Sequence, residues 1–395
     1  MFKKWILLFA LVFIGLTVAI GFFNYKADPF GYWASSRDDV DHLTTYGKAA
    51  FGRKVKSNYI RRNPQKYSAV IFGGSNAGVL DPDLVNQLTG YKTYNYWNAT
   101  CSSKDYRLLT AFCIKTMPNL KQIMIQLSNG EFFAPLDDPQ ANLPKYISGE
   151  DETLEKLSYI FFSPLKIIEQ HNKNIHGRKI YSQLVPPENK NPKSFMETTI
   201  DGKWEMFYSN FPDEFIFKNV VLSRAGDPLS FDAALEGLFT GAEQDFSNED
   251  TCIEDFVQIK RMCDENGIKL TVWTAPCFIS KKVWFEGEQY YLFLRRLVQI
   301  TDVWDFSGFY DANLNPYNFH DVTHFNDETA DEILKIVLGG KQNPVFGEHL
   351  SAQNIDQAIA RRRTAFEALK AEYELTGTVH LFDKVHESYF RREGE

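Results

Sequence analysis

The chain reads as an α/β protein: a parallel sheet with helices on both faces, carried behind one membrane-spanning helix. Three observations predict this. From residue 68 onward short apolar runs alternate with amphipathic segments, the rhythm of consecutive β-α-β units. Residues that start and stop helices punctuate the amphipathic segments. The N-terminus opens on a long apolar stretch that belongs to no globular core.

That stretch follows "MFKK" and runs from Trp5 to Phe23 without a charge. At about 1.5 Å per residue it is close to the thickness of a bilayer's hydrocarbon core. A cleaved signal peptide usually has a shorter apolar region and a small-x-small cleavage site. Here bulky "GFFNYKADPFGYW" follows instead, so residues 1–23 are expected to stay as a signal anchor. Lys3 and Lys4 then hold the N-terminus in the cytoplasm. Everything after about Asn24 lies outside, with the lipid bilayer as a first partner.

The next elements follow in order. "SAVIFGG" (68–74) reads as a strand, and "DPDLVNQLTG" (81–90) as a short helix with Asp81 as N-cap, Pro82 at its first position and Gly90 past its end. "YKTYNYW" (91–97) is a second strand. "SSKDYRLLTAFCIKTM" (102–117) is a helix opened by serines and stopped at Pro118, and "LKQIMIQLS" (120–128) is a third strand. From about 131 to 250 the rhythm breaks into Pro- and Asn-rich stretches such as "VPPENKNPKS". This is read as an insertion that roofs the carboxyl edge of the sheet. The alternation then resumes with a helix over 251–267, a strand over 268–276, a helix over 288–300, a strand over 302–306 and a helix over 326–340 capped by Asn326. The division is therefore anchor (1–23), α/β domain (24–340), then a charged helix and tail (341–395).

Composition narrows the function. With 395 residues, 44% hydrophobic and 24% charged, the chain is globular and not disordered. Its net charge of −8 and the lack of a Lys/Arg stripe argue against a nucleic-acid partner. The 5 cysteines show no C-x-x-C spacing, and Cys252 and Cys263 fall in one helix and are expected to pack. Arg61, Arg62, Arg107 and Arg224 could contact an anionic polymer but read more simply as surface charges.

Chemistry concentrates in two places. Ser75 follows the first core strand, at the carboxyl edge where open α/β sheets place their sites. Asp321 and His324 sit as D-x-x-H in "YNFHDVTHFNDETADEIL", just before the last core helix. A serine hydroxyl is a poor nucleophile until an imidazole takes its proton, and that imidazole works best with a carboxylate fixing its tautomer. His320, Asp321 and His324 also have metal-ligand chemistry, but no other His- or Cys-rich segment completes a shell, so no metal or cofactor is expected.

The pair of motifs resembles the SGNH/GDSL hydrolase superfamily, in which a Gly-Asp-Ser-like block supplies the nucleophile and a late D-x-x-H block the acid and base. With the anchor, "DPFGYW", "VIFGGSNAGVLDP" and "DFSGFYDANLNPYNFHDVTHF", it is most similar to the membrane-anchored members of bacterial envelopes, the DltD-like and alginate-acetylation-like proteins. The resemblance covers roughly residues 24 to 340. It implies a flavodoxin-like three-layer α/β/α sandwich and a Ser75, His324, Asp321 triad. It further implies an O-acyltransferase or esterase acting through an acyl-serine on a cell-envelope polysaccharide or glycopolymer, with a multi-pass membrane acyltransferase as partner. Departures are visible too. The block Gly73-Gly74-Ser75-Asn76 lacks the acid before the serine. Of the oxyanion donors, Asn129 in "IQLSNGEFF" corresponds to the family's asparagine, while "YWNATCSS" has no glycine and offers Asn98 in its place. The alternative implied is an inactive accessory or glycan-binding protein that keeps fold and anchor.

Overall fold

The computed structural model describes residues 2–27, 32–33, 49–98, 101–128, 143–161, 197–198, 203–205, 248–279, 286–340, 343 and 346–376. Helix α1 (Phe2–Ala27) is long and apolar enough to cross a membrane over Phe2–Lys26, a little longer than the uncharged run alone. Helix α2 (Ala49–Arg62) leads into strand β1 (Ala69–Gly73). Then follow α3 (Pro82–Thr89), β2 (Thr93–Trp97), α4 (Ser103–Thr116) and β3 (Gln122–Leu127). Two short helices, α5 (Lys145–Ser148) and α6 (Thr153–Ile160), precede a small antiparallel pair, β4 (Glu197–Thr198) and β5 (Trp204–Glu205). The α/β rhythm returns with α7 (Glu249–Glu265), β6 (Lys269–Thr274), α8 (Glu288–Leu297), β7 (Val303–Asp305) and α9 (Asp327–Gly339). Strand β8 (Glu348–Leu350) and helix α10 (Ile355–Thr376) close the described chain.

The main sheet has the order β2-β1-β3-β6-β7-β8, parallel throughout except for β8. Both faces are covered, which is why its central strands are rich in apolar residues on both sides. Val70, Phe72, Ile123, Ile125 and Val272 face one core with Leu109 of α4, Phe256 of α7 and Leu294 of α8. Ala69, Ile71, Met124 and Trp273 face a second core with Val85 of α3 and Ile333 of α9.

The helix starts follow local chemistry. Asp81 caps α3 by accepting from the Asp83 N–H at 2.8 Å, and Gly90 ends it at φ 74°. Ser102 and Asp105 form a reciprocal capping box on α4. Asn326 caps α9 through the Thr329 N–H at 2.9 Å. All five cysteines are buried thiols, and Cys252 and Cys263 pack in the core as expected.

One part of the architecture extends beyond the sequence reading. The sheet does not end at residue 340: β8 pairs with β7, and Arg362 of α10 is buried against it. Its guanidinium donates to Asp305 Oδ2 at 2.6 Å and to Glu286 Oε1 at 2.7 Å, so the first half of α10 is part of the α/β unit. Most of the expected roof (131–250) lies outside the described residues. Of the described part, α5 packs on α4 and α6 on α1, while Lys203 reaches Asp81 at 3.1 Å beside the carboxyl edge. Arg61 and Arg107 are held by carboxylates, Glu152 and Asp255 respectively, and Arg224 lies outside the described residues.

Candidate functional site

Strand β1 ends on Gly73 because the chain must turn sharply there. A Cβ at Gly73 would lie 2.3 Å from the Ala77 Cβ and 3.2 Å from the Gln126 Cβ. The backbone passes straight into a single helical turn, Ser75–Ala77, closed by the Ala77 N–H to Gly74 O and the Gly78 N–H to Ser75 O, both at 3.0 Å. Neither of these bonds uses the Ser75 N–H. Asn95 of β2 fixes the segment that follows: its buried amide donates to Ala77 O at 2.8 Å and Leu80 O at 2.9 Å. The serine is therefore presented by a braced turn at the carboxyl edge.

The D-x-x-H segment arrives from the other end of the domain. A bridge between Phe319 and Phe325, the His320 N–H bonded to His324 O at 2.7 Å, and the Phe278 N–H bonded to Val322 O at 3.1 Å hold its loop. Asp321 Oδ1 accepts the Thr323 and His324 N–H groups, each at 2.9 Å. The carboxylate is thus oriented by its own turn before it meets the imidazole.

The structure brings Ser75, His324 and Asp321 together. Ser75 Oγ lies 2.8 Å from His324 Nε2, across 249 residues of sequence. His324 Nδ1 lies 2.8 Å from Asp321 Oδ2 and 2.9 Å from Oδ1. Burial alone would raise the Asp321 pKa, but the His324 ring and the two backbone donors outweigh it and hold the carboxyl well below the usual carboxylate range. An ionised carboxylate only accepts, so Nδ1 carries the proton and Nε2 is left as acceptor for the Ser75 hydroxyl. With both ring nitrogens engaged in this relay, His324 is arranged as a base. Among the described residues no group of three metal-ligating side chains occurs.

The expected oxyanion asparagines are Asn129 and Asn98. Asn129 lies outside the described residues. Asn98 is buried, and its amide points at Tyr96 O at 3.5 Å; no described hydrogen bond links it to Ser75. Sequence reasoning passed over Asn76, whose amide is fixed by its neighbours. Trp273 Nε1, which can only donate, lies 3.0 Å from Gln126 Oε1, so the Gln126 amide is fixed with Nε2 facing Asn76 Oδ1 at 3.0 Å. Ser128 Oγ adds a second donor to the same oxygen at 2.7 Å. Asn76 Oδ1 is thereby locked toward β3, and no described hydrogen bond uses Nδ2, on the residue that follows Ser75. Only its position after the serine could have signalled this, because Gln126 and Trp273 meet through the β3–β6 register.

Two buried basic groups stand near the site: Lys56, which sequence reasoning passed over, and His320, which it weighed as a metal ligand. Lys56 Nζ donates to Trp97 O at 2.6 Å and stands 4.0 Å above the Trp97 ring. Burial pushes its pKa well below the usual lysine value. The His320 ring is buried beside Asp321, and burial lowers its pKa from 6.5 to about 4. Because its folded pKa is depressed, the stability linked to this neutral ring is complete above about pH 6.5 and is lost as pH falls toward 4. A loss on the order of 2–3 kcal/mol is expected over that window. Denaturant midpoints of the wild type and His320→Gln between pH 7 and 4 check this; equal pH slopes in the two proteins would refute it.

Neither the known protein-family models nor the curated proteins give a match to this chain.

Proposed function

We propose that the chain is a membrane-anchored serine acyl-ester enzyme of the SGNH type, with the flavodoxin-like three-layer arrangement of that superfamily. One observation carries the reading: the continuous relay from Ser75 Oγ through His324 to Asp321, with both links at 2.8 Å. These lengths are within the reach general-base catalysis requires. The two-faced, mostly parallel sheet with the serine at its carboxyl edge agrees with it.

Ser75 Oγ attacks the carbonyl carbon of an acyl ester or thioester as His324 Nε2 takes its proton. The tetrahedral oxyanion is met by the Ser75 N–H and by Asn76 Nδ2. Collapse breaks the bond to the leaving oxygen or sulfur, which takes the proton back from His324, and leaves an acyl-serine. A second hydroxyl, deprotonated by the same imidazole, then attacks the acyl carbon and releases Ser75. That hydroxyl belongs to an envelope glycan (transfer) or to water (hydrolysis), and exclusion of water from the acceptor side decides between them. The charges of Lys3 and Lys4 favour an inside N-terminus and an extracytoplasmic catalytic domain. A multi-pass acyltransferase exporting acyl groups would suit such an anchored site as donor.

A fluorophosphonate probe tests the reading. The expected result is a covalent adduct on the Ser75-containing peptide. If the folded, full-length protein gives none, the reading fails and the accessory-protein alternative replaces it.

A further inference from the structure

Helix α6 turns opposite faces to two environments. Glu155 and Tyr159, four residues apart, are buried toward the α/β unit, where Lys54 of α2 meets Glu155 at 2.9 Å. Leu154, Leu157 and the following Phe161, at helical spacing i, i+3 and i+7, are 77%, 46% and 53% exposed. The flank between these faces rests on α1. Asn24 Nδ2 donates to Ile160 O at 2.8 Å, and a Cβ at Gly21 would lie 3.3 Å from Ile160 Cγ2.

Gly21 and Asn24 lie inside the apolar span Phe2–Lys26. At about 1.5 Å per residue, Gly21 is roughly 8 Å short of Lys26 along the helix. The end of α6 is therefore held at a level where α1 is still apolar. Aromatic rings gather around the same junction: Tyr25 with Trp33 at 6.0 Å, Trp33 with Tyr159 at 6.4 Å, and Tyr32 with Tyr159 at 5.5 Å. Tyr and Trp are enriched where membrane meets water because each has an apolar body and a polar tip.

We propose that the Leu154, Leu157 and Phe161 face of α6 lies in the lipid headgroup and acyl boundary, as an interfacial helix beside the transmembrane one. The inference is independent of the acyl-serine reading and rests on α1 spanning the bilayer. An apolar face on a short helix inserts about 5–10 Å into that boundary. Two membrane contacts, unlike one flexible tether, fix the orientation of the α/β unit. Through the Lys54–Glu155 pair and the Lys56 bond to Trp97, α2 links α6 to the strand end beside Ser75.

The full-length protein, with its native cysteines buried, can be labelled selectively at Leu157→Cys or Phe161→Cys with an environment-sensitive fluorophore. It is then reconstituted in vesicles of phosphatidylcholine with a minority of phosphatidylglycerol. Phe13→Cys reports on the span and Val257→Cys, exposed on α7, on solvent. Quenching by shallow nitroxide lipids at 157 and 161, roughly twofold or more above that at 257, and by deep acyl-chain nitroxide lipids at 13, is expected. Quenching at 13 with none at 157 and 161 overturns the proposal and leaves the anchor standing. Blue-shifted emission at 157 without lipid quenching also overturns it, because protein then covers the face. No quenching at 13 removes the span and the proposal together.

Discussion

Ser75→Ala and His324→Ala are each expected to lower turnover of an activated acyl ester roughly 10⁶-fold, and Asp321→Asn roughly 10⁴-fold. The first removes the attacking atom and the second the group that, among the described residues, lies 2.8 Å from it to take its proton. Losing Asp321 spares both and disturbs only the tautomer and orientation of the ring. The substitution is not neutral, since an Asn amide turned the wrong way would donate toward Nδ1 and swing the imidazole's proton to Nε2. All three positions are only partly buried, with Asp321 and His324 side chains 14% and 18% exposed, so the variants should retain the wild-type denaturation midpoint. Ester hydrolysis and fluorophosphonate labelling of folded variants make the measurement. Persistent labelling of Ser75→Ala, or activity in it within tenfold of wild type, would contradict a Ser75 nucleophile.

The parts of this arrangement legible in the sequence are those fixed by local chemistry. Strand β1 is an uninterrupted apolar run because helices bury both faces, and Asp81, Ser102 and Asn326 announce helix starts through bonds to N–H groups two or three residues on. Asp321 and His324 could be paired in advance because one turn brings them together. Helix α2 was illegible: beside Val55, Tyr59 and Ile60 its buried residues include Arg53, Lys56, Ser57 and Asn58, which break up any apolar stripe. Arg53 is buried because it reaches Asp105 at 3.0 Å, a partner supplied by α4. Strand β8 is three residues long with no alternation to read, and its pairing with β7 only becomes visible once Arg362 is seen against Asp305. The fixed direction of the Asn76 amide was hidden for a related reason. Analogy pointed to asparagines after β2 and β3, whereas the direction of the Asn76 amide is set by a tryptophan on β6.

Asn76→Asp is expected to lower kcat about 100- to 1000-fold with little change in KM. The exchange separates two roles of one side chain. An aspartate still offers an oxygen to Gln126 Nε2 and Ser128 Oγ, the two donors that hold Asn76 Oδ1 at 3.0 and 2.7 Å. The position occupied by Nδ2 becomes a second oxygen, which donates nothing and repels the negative charge that develops on the carbonyl. Binding of the uncharged ester is nearly untouched, because the lost hydrogen bond forms in full only in the transition state. Asn76→Ala would confuse the test, since it also strands two buried donors. Asn76 is buried, so the new carboxylate costs some stability. Below the unfolding range of Asn76→Asp, ester turnover and the rate of phosphonylation at Ser75 should fall together. Should both rates remain within about threefold of wild type, Asn76 is a structural brace for β3, and the Ser75 N–H must find its companion elsewhere.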